Sequence, residues 1–306
     1  MRLATFRDDA GIRLGIERDG QLIDLTPAAT LTGVELPAGA TSDMLALIAA
    51  GPETLSQIAA LAEIAPAGTL LALDDVEALA PIPRLRKNIF CVGRNYAEHA
   101  AESFRAVGRE VKLPSAPNIF TKAVTAVSGP SADIPYDASV STQLDWEVEL
   151  GVVVGRGGRH IAREEALTHV FGYTVINDIS ARDIQNRPGM QWFLGKSLDG
   201  SCPMGPVIVT ADEIPDPQAL TLRLTVNGAV KQEDATAHML FDVAAILAEI
   251  SRFLTLEPGD IIATGTPAGV GFARTPPEFL QPGDMMETTV EGIGTLRNRI
   301  VAVDRT

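Results

Sequence analysis

Two carboxylates stand two residues apart in the stretch Asp145-Trp146-Glu147-Val148-Glu149-Leu150. Trp146, Val148, Leu150, Val152 and Val154 fall at every second position, which is the period of a β-strand. Glu147 and Glu149 are therefore expected side by side on one face of a strand. Carboxylates that close repel each other unless water or a cation separates them. A solvated strand face meets that condition, and so does a bound cation. The same face continues through Gly151 and Val153 and reads more as a pocket wall than as an outer surface. Oxygen ligands at this spacing suit Mg²⁺, Mn²⁺ or Ca²⁺ rather than zinc. Asp178 follows a second expected strand, residues 170–176, where a third oxygen ligand could approach. Its alternative role is to cap the turn that follows.

His99 and Glu102 are three residues apart and would be neighbours on a helical turn. A carboxylate beside an imidazole fixes the tautomer and raises the basicity, as a general base requires. An exposed ion pair of little energetic value has the same spacing. Lys196 lies in Gly195-Lys196-Ser197, but a nucleotide P-loop would need glycine where Met190 stands, so that motif is rejected. Lys196 either offsets the charge of an acidic substrate or is a surface lysine. Gln185, Gln191 and Trp192 make a polar setting around it. Gly265-Thr266-Pro267-Ala268-Gly269-Val270-Gly271 is a glycine-rich loop whose backbone can approach a ligand, with hydroxyls from Thr264 and Thr266. A structural turn uses glycine in the same way.

The elements that must position these groups are mostly short strands. Residues 2–6, 12–17 and 21–25 read as strands separated by turn signals such as Asp19-Gly20. Residues 42–64 carry helical spacing interrupted at Gly51-Pro52, which predicts two shorter helices. Ala80-Pro81-Ile82-Pro83 marks a boundary, giving a small N-terminal domain over 1–80 and a larger one over 81–306. Residues 88–93 read as a buried strand that runs into a helical turn over 94–102. A hairpin is expected around Asn227-Gly228, an amphipathic helix over 241–254, and a strand over 261–264.

The chain has 306 residues, 46% of them apolar, enough for a substantial core. Its formal net charge of −14 argues against nucleic acid or an anionic membrane as a partner. An acidic substrate would then need local cations. Cys91 and Cys202 are too few for a disulfide framework, no signal pattern opens the chain, and no apolar run reaches membrane-spanning length. A cytoplasmic protein is expected.

Taken together, the segments 91–99, 145–150, 172–183, 191–197 and 264–271 resemble the fumarylacetoacetate hydrolase family over roughly residues 84–306. The resemblance implies a mainly β fold with some α (α+β), a mixed β-roll or sandwich, preceded by a small N-terminal α+β domain. It implies a homodimer, and one Mg²⁺ or Mn²⁺ held by Glu147, Glu149 and Asp178. It makes His99 and Glu102 a base dyad, has Lys196 and Gln185 line the pocket, and sets Arg94 toward a substrate carboxylate and Thr266 toward substrate oxygens. The implied substrate is a small 2-oxo acid. The expected reaction is hydrolysis of an acylpyruvate-type 2,4-dioxo acid, with His99 activating water and Lys196 steadying the oxyanion, to give pyruvate and a carboxylic acid. Isomerisation of a hydroxy-dienoate dioate or decarboxylation of oxaloacetate would use the same site. A non-catalytic binder of the same fold would have no use for the base.

Overall fold

A computed structural model describes residues 1–303, apart from the side chain of Asp74. Among the described residues, twelve strands form one sheet and five form a second, so the mixed α+β architecture is as expected. The centre of the large sheet is the strand Val148–Val154, antiparallel to Val170–Asn177 on one side and to Ile261–Ala263 on the other. Ile261–Ala263 in turn runs parallel to Ile89–Gly93. This pattern gathers the start of Val148–Val154 and the C-terminal ends of its three companions at one edge. Every group singled out for chemistry on those strands stands at that edge or just beyond it.

Both faces of the sheet are covered, which explains the unbroken apolar run from Val152 to Val154. Trp146, Val148, Leu150, Val152 and Val154 pack on one side with Leu222, Leu224, Met286 and Leu296 of the second sheet and with Ile246, Leu247 and Ile250 of the helix Val243–Phe253. Val153, Ile176, Ile208 and Ile261 pack on the other side with Met44, Leu47, Ile48, Ile58 and Leu61 of the N-terminal helices. Burying each such aliphatic side chain contributes about 1.5–3 kcal/mol before entropy is charged against it. The helices Met44–Ala50 and Pro52–Ile64 are separate, bent by 113° at Gly51, as Gly51-Pro52 predicts. No single described helix is long and apolar enough to cross a membrane.

The first 80 residues are joined to the rest by backbone pairing. Arg2–Asp8 hydrogen-bonds along Cys202–Thr210, so the N-terminal hairpins extend the large sheet. Residues 304–306 of the expected larger domain lie outside the described residues.

Three local readings differ from the structure. The central strand begins at Val148, not Asp145, because the Glu147 N–H goes to the Asn177 side chain (3.0 Å) and the Val148 N–H to the Gln232 side chain (3.0 Å). Leu25 begins a helix, Leu25–Thr32, rather than ending a strand, and Asp24 caps it by accepting from the Thr26 N–H. The turn around His99 is a full helix, Ala97–Ala106.

Candidate active site

One side-chain oxygen from each of Glu147, Glu149 and Asp178 lies within 4.8 Å of the other two, and all three residues are buried. Strand geometry places them. Val148 pairs with Asn177, so the two glutamates flank the point where the neighbouring strand ends and Asp178 follows. The Asp178 N–H donates to the Glu147 carbonyl at 2.8 Å, fixing that corner.

Three cations answer these acids. Lys196 donates to Glu147 (2.6 Å) and to Asp178 (2.7 Å). Lys122 donates to the other Asp178 oxygen at 2.7 Å. Arg182 donates to Glu147 (2.6 Å), to Asp145 (2.8 Å) and to the Gln185 side-chain oxygen (2.9 Å). Asp145 also accepts from the backbone N–H groups of Gly271 (2.6 Å) and Phe272 (3.1 Å), tying the glycine-rich loop to the same network.

The cluster is uneven. Four buried carboxylates (Asp145, Glu147, Glu149 and Asp178) face three buried cations (Lys122, Lys196 and Arg182). Burial would raise the Glu147 carboxyl, but Lys196 and Arg182 outweigh it and hold it down at about 2. Burial would strip the proton from Lys196, and Asp178 and Glu147 keep it on. Burial likewise works against the charge of Arg182, and Asp145 and Glu147 more than restore it. Glu149 is the group left short. Burial, then the Asp178 and Glu147 carboxylates, push it well above the usual carboxylate range. The only hydrogen bond to its carboxylate among the described residues comes from the Gly265 N–H, at 2.7 Å. Gly265 can make that approach because its φ is +100° and an added Cβ would lie 2.9 Å from the Val92 carbonyl oxygen. One further positive charge, a proton or a cation, would balance the site. An all-carboxylate donor set with one member unneutralised fits a hard divalent ion.

His99 is 6% exposed and faces the same cavity. Its Nδ1 is 3.0 Å from Glu102. A carboxylate only accepts, so Nδ1 carries the proton and Nε2 is left as the basic nitrogen. Glu102 is itself fixed by the Gly269 N–H (3.0 Å to one oxygen, 3.1 Å to the other). With His99 buried and Glu102 half-buried and held by Gly269, the pair is an oriented dyad and not the exposed ion pair that spacing alone also allowed.

The cavity measures about 50 Å³. His99, Glu147, Glu149, Arg182, Gln185, Lys196, Thr266 and Arg94 are among its walls, with Phe120, Trp192 and Phe272 as apolar surface. Thr266 is oriented by the Gln232 side-chain amide, which donates to its hydroxyl at 2.8 Å. Arg94 sits at a left-handed backbone position (φ 58°), stacks over Phe104 (4.3 Å) and Trp192 (5.7 Å), and has no acidic partner among the described residues. Asp178, fully buried and held by Lys122 and Lys196, lies behind these walls as the third corner of the triad. All nine residues singled out from the sequence thus converge on one place. Arg182, Lys122 and Asp145 were not singled out. The signal for Arg182 and Lys122 was charge balance, because three acids that share a buried corner require cations nearby. Arg182 opens the short helix Arg182–Gln185 four residues after Asp178, and Asp145 enters as a partner of Arg182.

Comparison with known proteins agrees with this geometry. Residues 88–301 match the family model described as fumarylacetoacetate (FAA) hydrolase C-terminal. The chain is 46% identical over 231 residues to the oxaloacetate tautomerase YisK of Bacillus subtilis, covering 76% of this chain and 75% of that protein. It is 41% identical over 310 residues to the mitochondrial oxaloacetate tautomerase FAHD2A of Bos taurus, covering 98% of this chain and 92% of that protein. The solved structure of maleylpyruvate hydrolase from Sphingobium sp. SYK-6, in complex with manganese(II) and pyruvate, superposes with a TM-score of 0.78 at 29% identity, over 99% of this chain and all of that one. The chain belongs to the fumarylacetoacetate hydrolase family and is an enzyme of that family.

Proposed function

We propose that this enzyme interconverts the keto and enol forms of oxaloacetate, using a divalent ion, Mg²⁺ or Mn²⁺, held by Glu147, Glu149 and Asp178. The observation that carries the reading is one cavity walled by Glu147 and Glu149, with Asp178 behind them completing the carboxylate triad, and by His99, which Glu102 orients from behind. Tautomerisation moves one proton between carbon 3 and the oxygen on carbon 2, by way of an enolate whose charge sits on that oxygen. The ion, when bound, supplies a Lewis acid that makes charge on that oxygen tolerable. His99 Nε2 carries that proton between carbon 3 and the oxygen on carbon 2, and Glu102 stabilises the imidazolium that forms in between. Lys196 adds positive charge beside the reacting oxygen. Gln185 and Thr266 offer polar contacts to the substrate, and Arg94 takes the distal carboxylate. A dicarboxylate suits a site with a cationic group at each end. The two relatives named as oxaloacetate tautomerases favour this chemistry over bond cleavage.

Hydrolysis of a 2,4-dioxo acid is the second reading. It is favoured by the maleylpyruvate hydrolase relative and by the same dyad, which could take a proton from water instead of carbon. Assays with Mg²⁺ on oxaloacetate enol and on acylpyruvates separate the two. Enol loss with total oxaloacetate conserved supports tautomerisation. Pyruvate and a carboxylic acid released from an acylpyruvate, with no effect on the enol, overturns it in favour of hydrolysis. The proposal includes a homodimer, for which exposed Met190, Phe193 and Leu194 beside the cavity are candidate contacts. Light scattering that returns a monomer removes that part.

A further inference from the structure

Arg94 walls two spaces. On its inner side is the catalytic cavity, and on its outer side is a pocket of about 380 Å³ that Phe104, Arg109, Glu110 and Lys112 also line. Three cations face one carboxylate there, on a chain whose net charge is −14. Among the described residues, Arg94, Arg109 and Lys112 form no ion pair, whereas Lys122, Arg182, Lys196 and Lys231 are each paired with an acid. Arg94 is half-buried, its guanidinium held by the Phe104 and Trp192 rings rather than by an acid. Arg109 lies close enough that, after burial, its charge is what makes the Arg94 cation less favourable. Like charges drawn together without an acid between them raise the local potential and attract anions.

We infer that the outer pocket is an anion-collecting antechamber. Arg109 and Lys112 draw a dicarboxylate out of a solvent region that the acidic chain otherwise repels, and Arg94 passes it inward. The guanidinium meets the incoming carboxylate from the outer side and keeps hold of it as the 2-oxo end enters the cavity. Attraction of this kind acts on encounter and weakens as salt shortens its range to about 8–10 Å. It therefore belongs in kcat/KM and in salt dependence, not in kcat.

The test uses the double variant Arg109→Gln/Lys112→Gln, with Arg252→Gln as a control at an exposed, remote site. Trp146 is 1% exposed, so quenchable fluorescence reports on Trp192, which stands against Arg94. In the double variant, iodide quenching is expected to fall roughly twofold while quenching by neutral acrylamide stays the same. Equal iodide quenching in wild type and variant overturns the antechamber, whatever the substrate proves to be. The kinetic arm rests on the oxaloacetate reading. There kcat/KM is expected to fall roughly three- to tenfold at low ionic strength, with kcat unchanged and the difference closing in high salt. A salt dependence identical to wild type overturns the proposal. Failure of wild type to act on oxaloacetate sinks the functional reading alone, because quenching decides the antechamber without turnover.

Discussion

Glu149→Gln is the substitution whose outcome the charge balance fixes most sharply. Glu149 is 1% exposed, and its carboxylate has the Gly265 N–H as its only hydrogen-bond partner among the described residues. The amide oxygen of glutamine can keep that bond. The substitution brings the buried cluster from four carboxylates against three cations to three against three. Without metal, the variant is therefore expected to be at least as stable as wild type, because an unpaired buried charge is costly and its removal is not. With metal the order reverses. A ligand at 100 times its Kd stabilises the folded state by about 2.7 kcal/mol. An unfolding entropy of about 2.1 cal/mol/K per residue, over 306 residues, amounts to about 0.64 kcal/mol/K. Saturating Mg²⁺ should then raise the wild-type Tm by ~4 °C. In Glu149→Gln, with one of three ligand groups gone, the rise should fall below ~1 °C. Scanning calorimetry in EDTA and in excess Mg²⁺ reads both numbers. A variant less stable than wild type in EDTA that still gains the full metal shift would refute the reasoning.

The other expectations are as follows. His99→Ala should lose ~10²–10⁴-fold in kcat with Mn²⁺ affinity unchanged, as read by steady-state kinetics and electron paramagnetic resonance titration. Glu102→Gln keeps the size and an accepting oxygen but removes the negative charge that stabilises the His99 imidazolium, so kcat should fall by about 10²-fold, and near-wild-type turnover would discount the dyad. Arg94→Gln should raise KM for a dicarboxylate by roughly 10-fold or more and have little effect with a monocarboxylate 2-oxo acid, a split that competition assays measure. Glu149 has its folded value raised above its ordinary 4.5 by burial and by Asp178 and Glu147. Between those two values the folded chain holds more protons than the unfolded one, so metal-free stability is fully present below 4.5 and is lost as pH rises through the folded value. Metal replaces that proton, so the Mg²⁺-induced rise in Tm should be larger at pH 8 than at pH 5, and a rise that shrinks with pH would contradict the assignment.

The sequence disclosed the site better than it disclosed the supports. Glu147 and Glu149 were legible because a period of two is a local property, and so were the His99–Glu102 spacing and the break at Gly51-Pro52. What put Glu147 outside the strand was the Asn177 side chain, a partner 30 residues away that no local pattern announces. The burial of His99 and the grip of Gly269 on Glu102 come from a contact across 167 residues, so spacing could not tell a dyad from a surface pair. Lys122 and Asp145 are fully buried charges, and composition treats such residues as surface until a partner is known. The helix Leu25–Thr32 did leave a local trace in Asp24 as its cap and Pro27 in its first turn, which the alternation of the preceding strand concealed.

The claim beneath all of this is that three acids meet one divalent ion in front of a buried base. A crystal structure grown with Mn²⁺ and oxalate, a mimic of a planar 2-oxo acid enolate, examines it directly through the anomalous signal of the metal. The expected result is one manganese peak contacting an oxygen from each of Glu147, Glu149 and Asp178, with oxalate bound beside it and His99 facing the oxalate. Manganese bound elsewhere, or oxalate held with no metal among those three side chains, would contradict the account.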